Sequence, residues 1–155
     1  MQWKHIDPEI EARLALELYS WRGTPYLSGS SVKRVGVDCA RFICAVLDRM
    51  YNLNTKISTL PCDRHLHDPE SAIRALKQIM ALYPHEKAPN LTYVEPGDIL
   101  VVGTKEAPGH AMVVGPKKNQ LWHQDGSSVC MTPPRFGFTS ATKIYRIYRP
   151  VKDNW

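Results

Sequence analysis

Apolar residues recur at helical steps in the first half of this chain and in short extended runs beyond Asn90. Behind Asp7-Pro8, an acceptor side chain ahead of a residue that needs no intrahelical donor, Ile10, Leu14, Leu16 and Leu18 continue an apolar face. That pattern predicts a first helix from about Pro8 to Trp21. Phe42, Ile43, Val46, Leu47 and Met50 recur at three- and four-residue steps, predicting a second helix from Cys39 to Tyr51. Asp68-Pro69-Glu70 repeats the cap logic, and Ile73, Leu76, Ile79, Met80 and Tyr83 predict a third, closed by Pro84 and Pro89. Then come Asp98-Ile-Leu-Val-Val-Gly103, His110-Ala-Met-Val-Val-Gly115, Gln120-Leu-Trp-His-Gln124, Ser128-Val-Cys-Met131 and Lys143-Ile-Tyr-Arg-Ile-Tyr148, separated by Gly, Pro and Asn turns. Helices first and strands afterwards predict an α+β fold with an antiparallel sheet.

At 155 residues, 43% apolar and 23% charged, the chain fits one globular domain spanning 1–155, with no internal repeat or low-complexity tract. Twenty Lys and Arg against fifteen Asp and Glu leave +5, without the basic block of a nucleic-acid arm, so no nucleic-acid partner is expected. Trp21, Trp122, Tyr145 and Tyr148 read as core or sheet-edge aromatics rather than base-stacking platforms. No stretch approaches the roughly 18 apolar residues that cross a bilayer. The opening MQWKHIDPEIEARL has no apolar signal-like segment, so the expected location is cytoplasmic as synthesised, and action outside would need a carrier.

Four cysteines occur, Cys39, Cys44, Cys62 and Cys130. Cys39 and Cys44 on one helix are separated by about 7.5 Å of axial rise, beyond disulfide reach. Cys44 and Cys130 read as core thiols. Cys62, His65 and His67, with His85 downstream, lack the paired spacing of a zinc site, so neither metal nor cofactor is expected.

Cys39 is different, because the first turn of a helix offers it unpaired N–H groups and the positive end of the dipole, which favour thiolate. A nucleophilic thiol also needs a base. His110 and His123 stand on adjacent predicted strands, and pairing Val114 with Asn119 would set them directly opposite on one sheet face. A one-residue slip would put Gln124 there instead and turn His123 away. Either His123 or Gln124 could orient the base as the third member of a Cys-His-polar triad.

GTPYLSGS, VDCARFICAVLDRMY, EPGDILVV, PGHAMVVGPKKNQ and LWHQ follow one another in an order and spacing that resembles the NlpC-type cell-wall cysteine peptidases, from about Trp21 to Met131. The resemblance implies a compact papain-like fold with Cys39 as nucleophile, His110 as base, His123 as orienting residue and no cofactor. It further implies Tyr26 lining the site, Asp38 in a supporting role, and an amide bond in peptidoglycan stem peptides as substrate. Ala40-Arg41 stands where the family commonly has Ser-Gly, and Arg41 could stabilise thiolate, grip a substrate carboxylate or block a pocket. The segment at about 52–89 is long for a minimal member and reads as an insertion. With no export signal in view, the resemblance suggests a phage-associated hydrolase or one delivered by secretion machinery, with a virion or secretion complex as partner. The rivals are a thiol-dependent acyltransferase or thioesterase on the same fold, and a catalytically inactive binding module.

Overall fold

Residues three and four apart turn one side of the first helix inward. The computed structural model describes residues 8–51, 81, 85–87, 94–103, 108–117, 120–133 and 142–150. In it α1 (Pro8–Trp21) buries Ile10, Leu14, Leu18 and Trp21. Leu16, grouped with that face on sequence, is 75% exposed. It lies two residues from both Leu14 and Leu18, a rotation of about 200°, which sends it to the opposite side.

A short hairpin, β1 (Ser31–Val32) and β2 (Gly36–Val37), leads into α2 (Cys39–Tyr51). Asp38 starts this helix, its Oδ1 accepting the Arg41 backbone N–H at 2.8 Å, one of the four donors that a helix start leaves unpaired. Phe42, Ile43, Val46, Leu47 and Met50 are fully buried against α1 and the sheet. At about 1.5–3 kcal/mol for each large apolar side chain, this face fixes the helix in place. The predicted third helix falls, apart from Ala81, outside the described residues.

The strands that follow are β3 (His85–Lys87), β4 (Ile99–Gly103), β5 (Pro108–Val114), β6 (Leu121–Gln124), β7 (Val129–Thr132) and β8 (Lys143–Pro150). They form one antiparallel sheet in the order β3-β8-β4-β5-β6-β7. Residues 85–87, placed in an inserted segment on sequence, are therefore an edge of the main sheet. Glu95-Pro96-Gly97-Asp98 makes the tight entry to β4, closed by the Asp98 N–H on the Glu95 carbonyl at 3.0 Å, with Gly97 at φ +90° where a side chain would be strained.

Strand alternation divides the apolar side chains into two clusters. Ile99, Val101, Ala111, Val113, Trp122 and Val129 pack with α1 and α2, while Leu100, Val102, Met112, Val114, Leu121 and Ile147 pack together on the other face. The α+β architecture with an antiparallel sheet is the one its periodicities predict. Opposite His110 the sheet is irregular: Val102 pairs with His110 but Gly103 with Pro108, leaving Gly109 as the extra residue of a β-bulge.

Candidate active site

Capping by Asp38 places Cys39 as the first residue of α2, partly exposed, while Ala40 and Arg41 behind it are buried. Backbone N–H groups of Cys39 and Ala40 face its sulfur. The same Asp38 carboxylate holds three donor groups: besides the Arg41 N–H, its Oδ2 accepts from the Gly29 N–H at 2.9 Å and pairs with Arg41 Nη1 at 2.7 Å. Arg41 is therefore an interior cation matched by Asp38, turned away from solvent, and its placement is not that of a hand held out to a substrate carboxylate. Tyr26 lies half-buried in the loop alongside, forming a parallel bridge with Val37 and donating its N–H to the Ser127 carbonyl at 3.0 Å.

The two imidazoles meet on the sheet, with His110 Nε2 2.7 Å from His123 Nδ1 and the rings edge to face at 4.9 Å. Their strands are not in the register expected. Val114 pairs with Leu121 rather than Asn119, because the connection from Gly115 to Gln120 is longer, closed by the Gly115 N–H on the Gln120 carbonyl at 2.8 Å. A shift of two residues, unlike one, leaves every side chain on its original face, so His123 reaches His110 diagonally instead of directly.

Gln124 points the other way. It is 2% exposed, its Nε2 donates to the carbonyls of Thr24 and Val37 at 3.2 Å each, and its Oε1 accepts from Gly126. It ties the Tyr26 loop and the Cys39 approach to β6 and does not touch the imidazoles in these contacts. On the far side of His123, Nε2 lies 3.0 Å from Thr132 Oγ1 and 3.6 Å from Cys130 Sγ, which in turn is 3.6 Å from Asp125 Oδ2. Thr132, Cys130 and Asp125 were not expected at the site. Cys130, read as a core thiol, is half-exposed on β7, whereas Cys44 is fully buried. The signal for this cluster was the four-residue turn Asp125–Ser128, which sets His123 against Cys130.

No family model matches this sequence, and no curated protein does. Solved structures do match. A protein similar to a lipoprotein of the NLP/P60 family from Staphylococcus aureus superposes with a TM-score of 0.62 at 14% identity, covering 96% of this chain and 43% of its own. The NlpC/p60 domain of the peptidoglycan hydrolase SagA gives 0.56 at 18% identity, over 91% of this chain and 98% of that domain. NlpC1 from Trichomonas vaginalis gives 0.59 at 16%, over 97% of this chain and 48% of that protein. This chain has the NlpC/P60 fold. It spans less than half of the staphylococcal and trichomonad proteins and nearly all of the SagA domain.

Within this NlpC/P60 fold the thiol and the imidazoles are held neutral. Burial, and then the Asp38 charge, push the Cys39 thiol up to about 11, outweighing the backbone N–H groups that favour thiolate. This reverses the expectation that the helix start makes Cys39 acidic. Burial, then repulsion from His123, lower His110 to about 4, and burial lowers His123 against the opposing pull of Asp125. At neutral pH these groups are a thiol and two uncharged rings, so sulfur can become nucleophilic only as a base removes its proton during attack.

A stability signature follows from His110. Its folded pKa of about 4 lies below the unfolded 6.5, so the unfolded chain binds the extra proton between those values. The stabilisation is full above pH 6.5 and is lost as pH falls towards 4. Comparing urea midpoints at pH 7 and pH 4.5, wild type should lose roughly 2–3 kcal/mol more than His110→Gln. Equal losses in the two proteins would show that His110 is not held neutral by burial.

Proposed function

We propose that this chain is a cysteine amide hydrolase acting on the stem peptides of peptidoglycan, with Cys39 as nucleophile, His110 as base and His123 as the residue that orients it. The imidazole pair carries this reading. With Nε2 of His110 engaged by His123, Nδ1 is the nitrogen left to take a proton. The NlpC/P60 fold, shared with a domain of a peptidoglycan hydrolase over nearly its whole length, supports the substrate class.

In this mechanism Cys39 Sγ attacks the amide carbonyl as His110 Nδ1 takes the thiol proton, and the Cys39 backbone N–H helps hold the developing oxyanion. His110 then passes the proton to the departing amine as the C–N bond breaks, leaving a thioester. Water, deprotonated by His110, attacks the thioester and releases the carboxylic acid and the thiol. For His110 to meet Cys39 its ring must come round the mouth of β5, since regular alternation would set it with Met112 and Val114 on the face away from α2. The bulge at Gly109 is the feature suited to re-aiming it.

A second reading, an inactive binding module, is favoured by the raised Cys39 pKa and by imidazole contacts that, among the described residues, run to each other, Thr132 and Cys130 rather than to Cys39. Incubation with purified muropeptides, followed by mass spectrometry for new amines, separates the two. The hydrolase releases amines from stem peptides and Cys39→Ala does not, whereas binding without cleavage by either protein overturns the proposal.

A further inference from the structure

The direction in which protons are shared along the imidazole pair can be worked out from its far end. Asp125 anchors that end: its Oδ1 accepts the backbone N–H groups of Ser128 at 3.0 Å and Ser127 at 2.8 Å, which hold the carboxyl below its usual range and leave Oδ2 facing Cys130. An ionised carboxylate only accepts hydrogen bonds, so the Cys130 S–H points to Asp125 and its sulfur turns lone pairs towards His123. Thr132 stands two residues along β7 on the same side and is half-buried, so its hydroxyl, which rotates to suit its surroundings, can turn its hydrogen to solvent. With the sulfur lone pairs already facing His123 Nε2 and the hydroxyl hydrogen turned outward, the Thr132 oxygen likewise presents a lone pair to Nε2 at 3.0 Å.

Both groups on that side of His123 are then acceptors, and an uncharged ring satisfies them only by carrying its hydrogen on Nε2. We propose that Thr132, backed by Cys130 and Asp125, is a positioning residue that sets the proton order of the pair, Thr132←His123←His110, and so leaves His110 Nδ1 bare to act as a base. The remaining links follow by valence. His123 Nδ1 has no hydrogen and accepts from His110 Nε2–H across 2.7 Å, and a neutral His110 with its hydrogen on Nε2 has none on Nδ1. The reverse order would put a hydrogen on His110 Nδ1 and disable it. Thr132 is preferred over Cys130 as the acceptor because oxygen at 3.0 Å makes a stronger bond than sulfur at 3.6 Å. The consequence for catalysis rests on the hydrolase reading, but the proton order itself does not.

The test is ring-nitrogen NMR of histidine-labelled protein near pH 7, where a nitrogen bearing hydrogen and a bare one resonate far apart. Wild type should show both His110 and His123 as the Nε2–H form. Thr132→Val, which keeps the shape and removes the hydroxyl, should give His123 a mixed pattern and lower kcat by roughly ten- to a hundredfold with KM unchanged, and Thr132→Ser should restore both. An Nδ1–H form of His123 in wild type, or an unaltered nitrogen pattern in Thr132→Val, would overturn the proposal. The wild-type spectrum decides the matter even if Thr132→Val does not fold. A protein that shows the expected spectrum yet cleaves no muropeptide keeps the proton order and refutes the hydrolase.

Discussion

Cys39→Ala is expected to lower kcat/KM for amide cleavage by about 10⁴-fold or more, with the urea midpoint nearly unchanged. No other group in the mechanism can form the thioester, so the chemistry has no second route of comparable speed. Structure has little at stake in the same substitution, because the start of α2 is capped by Asp38, not by the thiol, and Ala is a strong helix former. His110→Ala should cost about 10²- to 10⁴-fold, the usual range for a lost general base. The pH profile of the wild type carries the same signature. A base that is bare above about 4 and a thiol that ionises near 11 give a kcat/KM that rises on the acid side and stays level through neutrality. Near wild-type activity in Cys39→Ala would refute the mechanism.

Asp38→Asn should produce two effects of opposite appearance. The carboxylate is buried with Arg41, and losing its charge leaves the guanidinium inside without its counter-ion, which costs about 3–5 kcal/mol for pairs of this kind. Asn still caps a helix well, so the loss reports on charge more than on the cap. The Asp38 charge is also the second cause of the raised Cys39 pKa, so its removal makes the thiol more acidic. A less stable protein should therefore react faster with iodoacetamide near neutral pH at Cys39. Cys44, fully buried in α2, is the internal control, since it is protected as long as the chain is folded. Unchanged stability, or faster labelling of both cysteines in parallel, would contradict this account of Asp38.

Helix limits were legible in the sequence because their causes are local. Apolar spacing placed α1 and α2 at the observed ends, with Asp7-Pro8 marking the first start, and only Leu16, a same-side reading of a two-residue step, went astray. The existence of β4 to β8 was legible for the same reason, whereas β1 and β2 lie in a stretch that reads as loop, β3 falls in the segment that reads as an insertion, and register was not legible. It depended on how the Gly115–Gln120 connection closes, and the two-residue shift kept the His110–His123 meeting only because side-chain direction has a period of two. Charge environment was the least legible. Nothing in Cys39-Ala40-Arg41 says that Arg41 folds inward onto Asp38, or that burial overrides the helix start at the thiol. Thr132, Cys130 and Asp125 were hidden until the β6–β7 turn was known. The candidate triad could thus be named from sequence, while its protonation states required the fold.

The mechanism requires the Cys39 sulfur and the His110 ring to work on one amide bond, and a bifunctional reagent tests this most directly. In 1,3-dibromoacetone two alkylating carbons flank a single carbonyl, so both can react only with groups that come within a few bond lengths of each other. Treated protein, digested and sequenced by mass spectrometry, should yield the Cys39 peptide joined to the His110 peptide through one reagent molecule, and His110→Ala should abolish the link. Reagent attached at Cys39 with its second carbon hydrolysed or bound elsewhere, and His110 unmodified, would contradict it.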